Sequence, residues 1–278
     1  MIRYLQDNEK RRSEELYREA FPEDKDAFVN YYYSYVTRDN QILVLEQDEK
    51  ICSMLHLNPY RLGVQGKEVD AYYYVAVATK ADCRHQGMMR ALLHRSLNDI
   101  YVKGHPFAYL MPADKAIYEP FDFRIVYQQK KVELPLEPEK ANGKMAEMYD
   151  VYTLRDDWYV EKMLEEDRVC AGNPPFEIVP YIMMRITHVE QMLKLLRSSQ
   201  PLKVILNVKD EIIKENHGRF LWDVSKTESS CHKIDKEEAL PEISVGIAEL
   251  TEFVFGKRKI EGLECIETLS RICINEAV

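Results

Sequence analysis

Ala71–Ala78 is an unbroken run of eight apolar residues, and together with the segment after it this run constrains the fold more than any other part of the chain. A short polar loop runs from Thr79 to Gln86 and meets Gly87, after which Met89, Leu92, Leu93, Leu97 and Ile100 recur at three- and four-residue intervals. That spacing predicts a helix over 87–101 with one buried face. Phe107-Ala-Tyr-Leu-Met111, closed off by Pro106 and Pro112, reads as a short strand covered on both faces and therefore central in its sheet. A strand, a tight loop, an amphipathic helix and a buried strand in that order predict an α/β fold.

The flanking sequence continues the pattern. A strand at Ile2–Leu5, helices near Asn8–Ala20 and Asp24–Val36 and a strand at Ile42–Glu46 precede the run. Strands at Ile51–Asn58 and Lys67–Ala78 flank Gly63-Val-Gln-Gly66, whose glycines permit positive φ, so the pair reads as an antiparallel hairpin. At Leu134–Gly143 two prolines, charges and a glycine replace the periodic pattern, as in a linker or long surface loop. At roughly 150 residues per domain, a chain of 278 residues accommodates two. A helix near Leu154–Val169 and a Gly172–Pro175 interruption come next. The second unit opens with Thr187-His-Val-Glu190, a capping box, and continues with a hairpin of Leu202–Val208 and Phe220–Val224. Beyond it lie a strand near Ile243, a helix ending at Gly256 and a last helix near Glu261–Cys273. The expected division is 1–133, 134–182 and 183–278.

Charge and composition narrow the function. The balance of 38 basic and 47 acidic residues gives −9, which repels phosphate backbones and argues against a nucleic-acid partner. An eight-residue apolar run falls far short of the ~20 a membrane-spanning helix requires, so no membrane role is expected. The first nine residues carry acids and no apolar stretch, unlike a secretory signal, and the six dispersed cysteines suit reduced thiols; both point to a cytoplasmic protein. Neither Cys83-Arg-His85 nor Cys231-His232 supplies four ligands at finger-like spacing, so no metal is expected.

The loop before the 87–101 helix is where chemistry is expected. A glycine at 87 lets a ligand approach the backbone, and the free amides of a first helical turn, at the positive end of the macrodipole, suit a pyrophosphate. One glycine is a weak signal alone. Arg84 and Gly87, however, stand where motif A of the GNAT superfamily of N-acetyltransferases has Arg or Gln, two residues, then Gly; Met89 departs from its small third position. The segment therefore resembles that motif, in the variant of the enhanced-intracellular-survival (Eis-like) branch. Ile117-Tyr118 followed by Phe121-Asp122-Phe123 is similar to a second family segment, with Asp122 in place of the usual glycine and Pro120 in place of the usual arginine. Met183-Met-Arg-Ile, the hairpin ending in Gly218-Arg-Phe and the late helices resemble the sterol carrier protein-like domain of that branch.

The resemblance implies an α/β (α+β) architecture: a mixed sheet flanked by helices, plus a smaller α+β unit. It implies acetyl transfer from acetyl-CoA, directly, to a small-molecule or peptide amine: an aminoglycoside, a polyamine or a lysine-like group. Backbone groups of Val77, Ala78 and Thr79 would hold the pantetheine arm, His85, Gln86, Gly87, Met88, Met89 and Arg90 the pyrophosphate, and Ala113 and Asp114 would also touch CoA. Tyr118 would be the general acid toward the departing sulfur. In the resembling branch the terminal carboxylate accepts the amine's proton, which implicates Val278; a frayed end is the alternative reading. The middle segment reads as a remnant of a second GNAT-like domain, and relatives assemble as oligomers. A second function class stays open: a non-catalytic module with a degenerate CoA site, or one holding an apolar ligand in the second unit. Tyr31-Tyr-Tyr-Ser-Tyr35 either lines a cation-binding pocket or packs in the core.

Overall fold

The computed structural model describes residues 1–129, 132–171, 180–236 and 238–274. Its first half follows the expected order: β1 (Ile2–Tyr4), α1 (Glu14–Ala20), α2 (Asp26–Ser34), β2 (Gln41–Gln47), β3 (Lys50–Val64), β4 (Lys67–Thr79), α3 (Met88–Val102), β5 (Phe107–Leu110), α4 (Lys115–Tyr118) and β6 (Arg124–Gln128). The middle holds α5 (Pro138–Met148), β7 (Val151–Thr153) and α6 (Asp157–Cys170). The remainder comprises β8 (Tyr181–Ile186), α7 (Val189–Leu193), β9 (Arg197–Ser198), β10 (Leu202–Lys209), β11 (Gly218–Val224), β12 (Ser229–Lys233), β13 (Glu242–Gly246), α8 (Ile247–Val254), β14 (Ile266–Glu267) and β15 (Ile272–Cys273). No helix among the described residues is long and apolar enough to cross a membrane.

The large sheet is mixed, in the order β1-β2-β3-β4-β5-β8-β6, with β7 and β15 joined at the far end of β3. Only β4–β5 and the β7–β15 join are parallel. Leu92, Leu93, Leu97 and Ile100 of α3 pack with Leu57, Tyr74 and Leu110 on one face, as the helical spacing requires. On the other face, Leu16 and Tyr17 of α1 and Val29 and Tyr32 of α2 meet Val44, Met54, Tyr73 and Val75. That second core runs on without a break into the carboxy-terminal unit, through Phe107 against Phe255 (5.5 Å between ring centroids) to Val204, Leu206 and Trp222. The unit itself is a four-stranded sheet, β12-β11-β10-β13, with α7 and α8 against it.

Four local expectations change. The strand opening the expected second unit, β8, pairs antiparallel with both β5 and β6, so position 183 falls inside a strand of the large sheet. The expected linker becomes helical from Pro138, which sits in the first turn where its missing N–H costs nothing, and Ala141 and Met145 are buried. No helix forms at 261–273: Gly262 turns the chain at φ +86°, and β14 and β15 pair with β9 and β7. At 187–190 the cap is His188, whose ring accepts from the Gln191 N–H, while Thr187 Oγ1 donates to the His105 carbonyl.

Inside the second core, His56 is fully buried, with Nδ1 2.8 Å from the Tyr32 hydroxyl and stacked on that ring. Burial, reinforced by Lys10, pulls its pKa down to about 3, against about 6.5 in the unfolded chain. The folded state therefore rejects the proton that the unfolded state takes up. Stability should be complete above pH 6.5 and fall by roughly 1.4 kcal/mol per unit as pH drops from there toward 3. Urea unfolding midpoints between pH 7 and 4 check this: His56→Gln, which keeps a polar partner for Tyr32 without a titrating ring, should flatten the slope.

Candidate active site

Two features of β4 open the sheet. Against β3, Met54 faces Ala78 but His56 faces Val75, so β4 carries an extra residue there, and Ala76 takes φ +50°. This is a β-bulge, which bends the strand and re-aims its edge. Against β5, pairing covers only Tyr72–Tyr74 with Ala108–Leu110; beyond the bulge β4 runs on to Thr79 without β5 beside it. The Lys80 N–H donates to the Cys52 carbonyl and the Ala78 carbonyl accepts from Ser53 Oγ (3.0 Å), both on the β3 side. With strand groups alternating sides, Val77 and Thr79 present theirs to the open edge, whereas Ala78 turns toward β3.

The loop after β4 completes a cradle. Arg84 Nε donates to the Thr79 carbonyl (3.2 Å), folding the loop back on the strand end. His85 (φ +62°) and Gly87 (φ +76°) then turn the chain into α3, and no side chain caps that helix. A 15-residue helix thus presents the amides of Met88, Met89 and Arg90 beside the exposed His85–Gly87 turn, the arrangement that attracts an anionic group. A side chain at 87 would meet nothing within 4 Å, so the left-handed conformation is what the position asks of glycine.

Across the opening, Ala113 and Asp114 are exposed just past β5, where Asp114 Oδ1 accepts from the Ala116 N–H (2.9 Å) and starts α4. Tyr118 ends that turn, buried on the α3 face with its ring edge-on to Phe123. Burial alone pushes its phenol up to about 12. Asp122 adopts the left-handed conformation (φ +64°), which aspartate tolerates better than most residues, so the turn survives without glycine. The turn is anchored from behind by Arg185, fully buried, whose Nε donates to the Phe121 carbonyl (2.9 Å) and whose Nη2 reaches both oxygens of buried Asp210 (2.8 and 3.0 Å).

Of the sequence-derived set, Val77, Met89 and Tyr118 pack about one cluster, His85–Arg90 form the turn and first residues of α3, Ala113 and Asp114 are exposed past β5, and Ala78 faces β3. Val278 lies outside the described residues. Sequence spacing missed a cleft of about 380 Å³ near the start of β4, lined by residues from distant segments that include Asp39, Tyr60, Asp70, Tyr72, Trp158 and Lys162. Only Trp158 and Lys162, four apart on α6, left a local signal. Of the tyrosine cluster, Tyr31, Tyr32 and Tyr33 are core, and Tyr35 stacks on Trp158 at the cleft's margin.

An acetyltransferase (GNAT) domain profile matches residues 1–126, and a sterol carrier protein domain profile matches residues 189–277. No curated protein sequence matches the chain. The fold is similar to that of a conserved protein of unknown function from Enterococcus faecalis V583, a probable N-acyltransferase, at 13% identity and TM-score 0.74 over 96% of this chain and 93% of that one. It is also similar to Eis1 from Mycobacterium abscessus (14% identity, TM-score 0.68, 97% and 94%). A third likeness is to a GCN5-related N-acetyltransferase from Anabaena variabilis (12% identity, TM-score 0.66, 96% and 94%). At these identities the likeness is one of fold.

Proposed function

We infer that the chain transfers the acetyl group of acetyl-CoA directly to an amine, the activity suggested by the match of residues 1–126 to a GNAT acetyltransferase domain, with a sterol carrier protein domain matched at residues 189–277. The observation that carries this reading is the opening of β4 away from β5 beyond the Ala76 bulge, leading straight into the uncapped start of α3. Strand groups at Val77 and Thr79 hydrogen-bond the pantetheine amides, as β5 would have done had it continued. One of the same amides, aimed at the thioester oxygen, stabilises the charge that gathers there during attack. The first-turn amides of α3 and the His85–Gly87 turn hold the pyrophosphate. The neutral amine attacks the carbonyl carbon and the carbon–sulfur bond breaks; CoA departs as a thiolate to which Tyr118 donates a hydrogen bond, the proton shed by the attacking nitrogen passes to water, and water returns one to the sulfur to give free CoA thiol.

Among acceptors, the carboxylates of Asp39 and Asp70 and the aromatic walls of the cleft at the start of β4, which also holds Arg61, His105 and Lys162, favour a cationic amine such as a polyamine, an aminoglycoside or a lysine side chain. The reading is tested by calorimetric titration of acetyl-CoA into wild type, Gly87→Ala and Gly87→Glu. Alanine carries the left-handed strain alone, while glutamate adds a negative charge where the pyrophosphate belongs. Binding should persist in Gly87→Ala and weaken at least 100-fold in Gly87→Glu; equal binding by all three proteins refutes the assigned phosphate site.

A further inference from the structure

The cleft near the start of β4 already contains a cation, and it belongs to the chain. Lys162 on α6 turns its ammonium inward: it lies 5.5 Å from the Tyr60 ring centroid and 5.7 Å from that of Trp158, with only 13% of its side chain exposed. Both distances fall within the range over which an aromatic face attracts a cation. Asp39 completes the box at 3.7 Å from the Lys162 nitrogen. That ion pair is long. The walls are held independently of it: Asp39 accepts from Trp158 Nε1 at 3.0 Å, fixing carboxylate and indole relative to one another. Asp70, on the same cleft, has no ion-pair partner among the described residues. Arg61 already engages Asp156 (3.2 Å). The box therefore keeps its shape without Lys162; Arg38, over the Trp158 ring at 5.3 Å, would then balance only one of the carboxylates of Asp39 and Asp70.

The geometry points to Asp39, Tyr60 and Trp158 as a binding site for an alkylammonium group, with Lys162 as a tethered competitor that an incoming cation displaces. A cleft of about 380 Å³ is within the range of small-ligand sites, and Asp70 supplies a second anionic point for a molecule with two amines. Tyr72, on the cleft wall, precedes Ala76 by four residues, roughly 13 Å of strand. For a substrate long enough to span that distance, a cation held here anchors the far end while another amine, instead of pairing with Asp70, reaches the opening. This assignment of the reacting end rests on the acetyl-transfer reading; the binding itself does not.

The test omits acetyl-CoA. Titrating 1,5-diaminopentane at low ionic strength into wild type, Lys162→Met, Lys162→Gln and Lys162→Met/Asp39→Asn should show at least tenfold tighter binding in both single variants. The double variant should lose that gain. Affinity in both single variants equal to wild type, binding by none of the proteins, or a double variant as tight as Lys162→Met would each overturn the site. Because no thioester is present, a protein inert in acetyl transfer can still pass this test, which separates the two readings.

Discussion

Replacing Asp210 with alanine should destabilise the fold by about 3–5 kcal/mol, lowering the thermal midpoint by on the order of 10 °C. Arg185 and Asp210 are both completely shielded from water, and the carboxylate also accepts from the Ile212 and Ile213 N–H groups (2.9 Å each) and from Asn216 Nδ2 (3.2 Å). Alanine would leave a buried guanidinium with two backbone carbonyls and, as its charge partner, only the more distant Asp122 (3.9 Å), and would strand two backbone amides. Exchanging both partners for apolar residues, which often rescues a buried ion pair, should recover only part of the loss, because those amides stay orphaned. Differential scanning calorimetry of the two variants checks both statements. The network ties the turn bearing Tyr118, the strand β8 and the start of the carboxy-terminal unit into one body, so damage at Asp210 should reach the opening as well as the stability.

Much of this arrangement is written locally in the chain and some of it is not. The strand, loop and helix from Ala71 to Val102 were legible because an apolar run, a lone glycine and a three-to-four-residue stripe each have one structural meaning. The turn at Tyr118 was legible only through its likeness to a known motif. The bulge at Ala76 left no mark: Val75-Ala-Val-Ala78 alternates like any strand, and the extra residue exists only relative to β3. The place of β8 was hidden for the same reason, since a short apolar strand does not say which edge it joins. The last segment misled more actively. Leu263, Ile266, Leu269 and Ile272 are all buried and recur every third residue, which imitates a helical stripe, yet turns and short β-pairings bury them instead. The cleft combines residues from the start of β2, the middle of β3, the start of β4 and α6, a juxtaposition that no spacing rule reaches.

Tyr118→Phe should lower turnover by ~10²- to 10³-fold with acetyl-CoA affinity unchanged. With its phenol pushed up to about 12 by burial, against about 8.5 for a thiol, Tyr118 would transfer its proton to a thiolate only uphill by roughly 3.5 units. The contribution proposed for it is a hydrogen bond that strengthens as charge builds on sulfur, from a donor that phenylalanine lacks and that stays protonated through pH 10. The most direct measurement is free CoA thiol released from acetyl-CoA in the presence of a polyamine, an aminoglycoside and a lysine peptide, by wild type and by Tyr118→Phe. The account predicts amine-dependent release by the wild type that all but disappears in the variant; no amine-dependent release by the wild type, or equal release by both proteins, would contradict it.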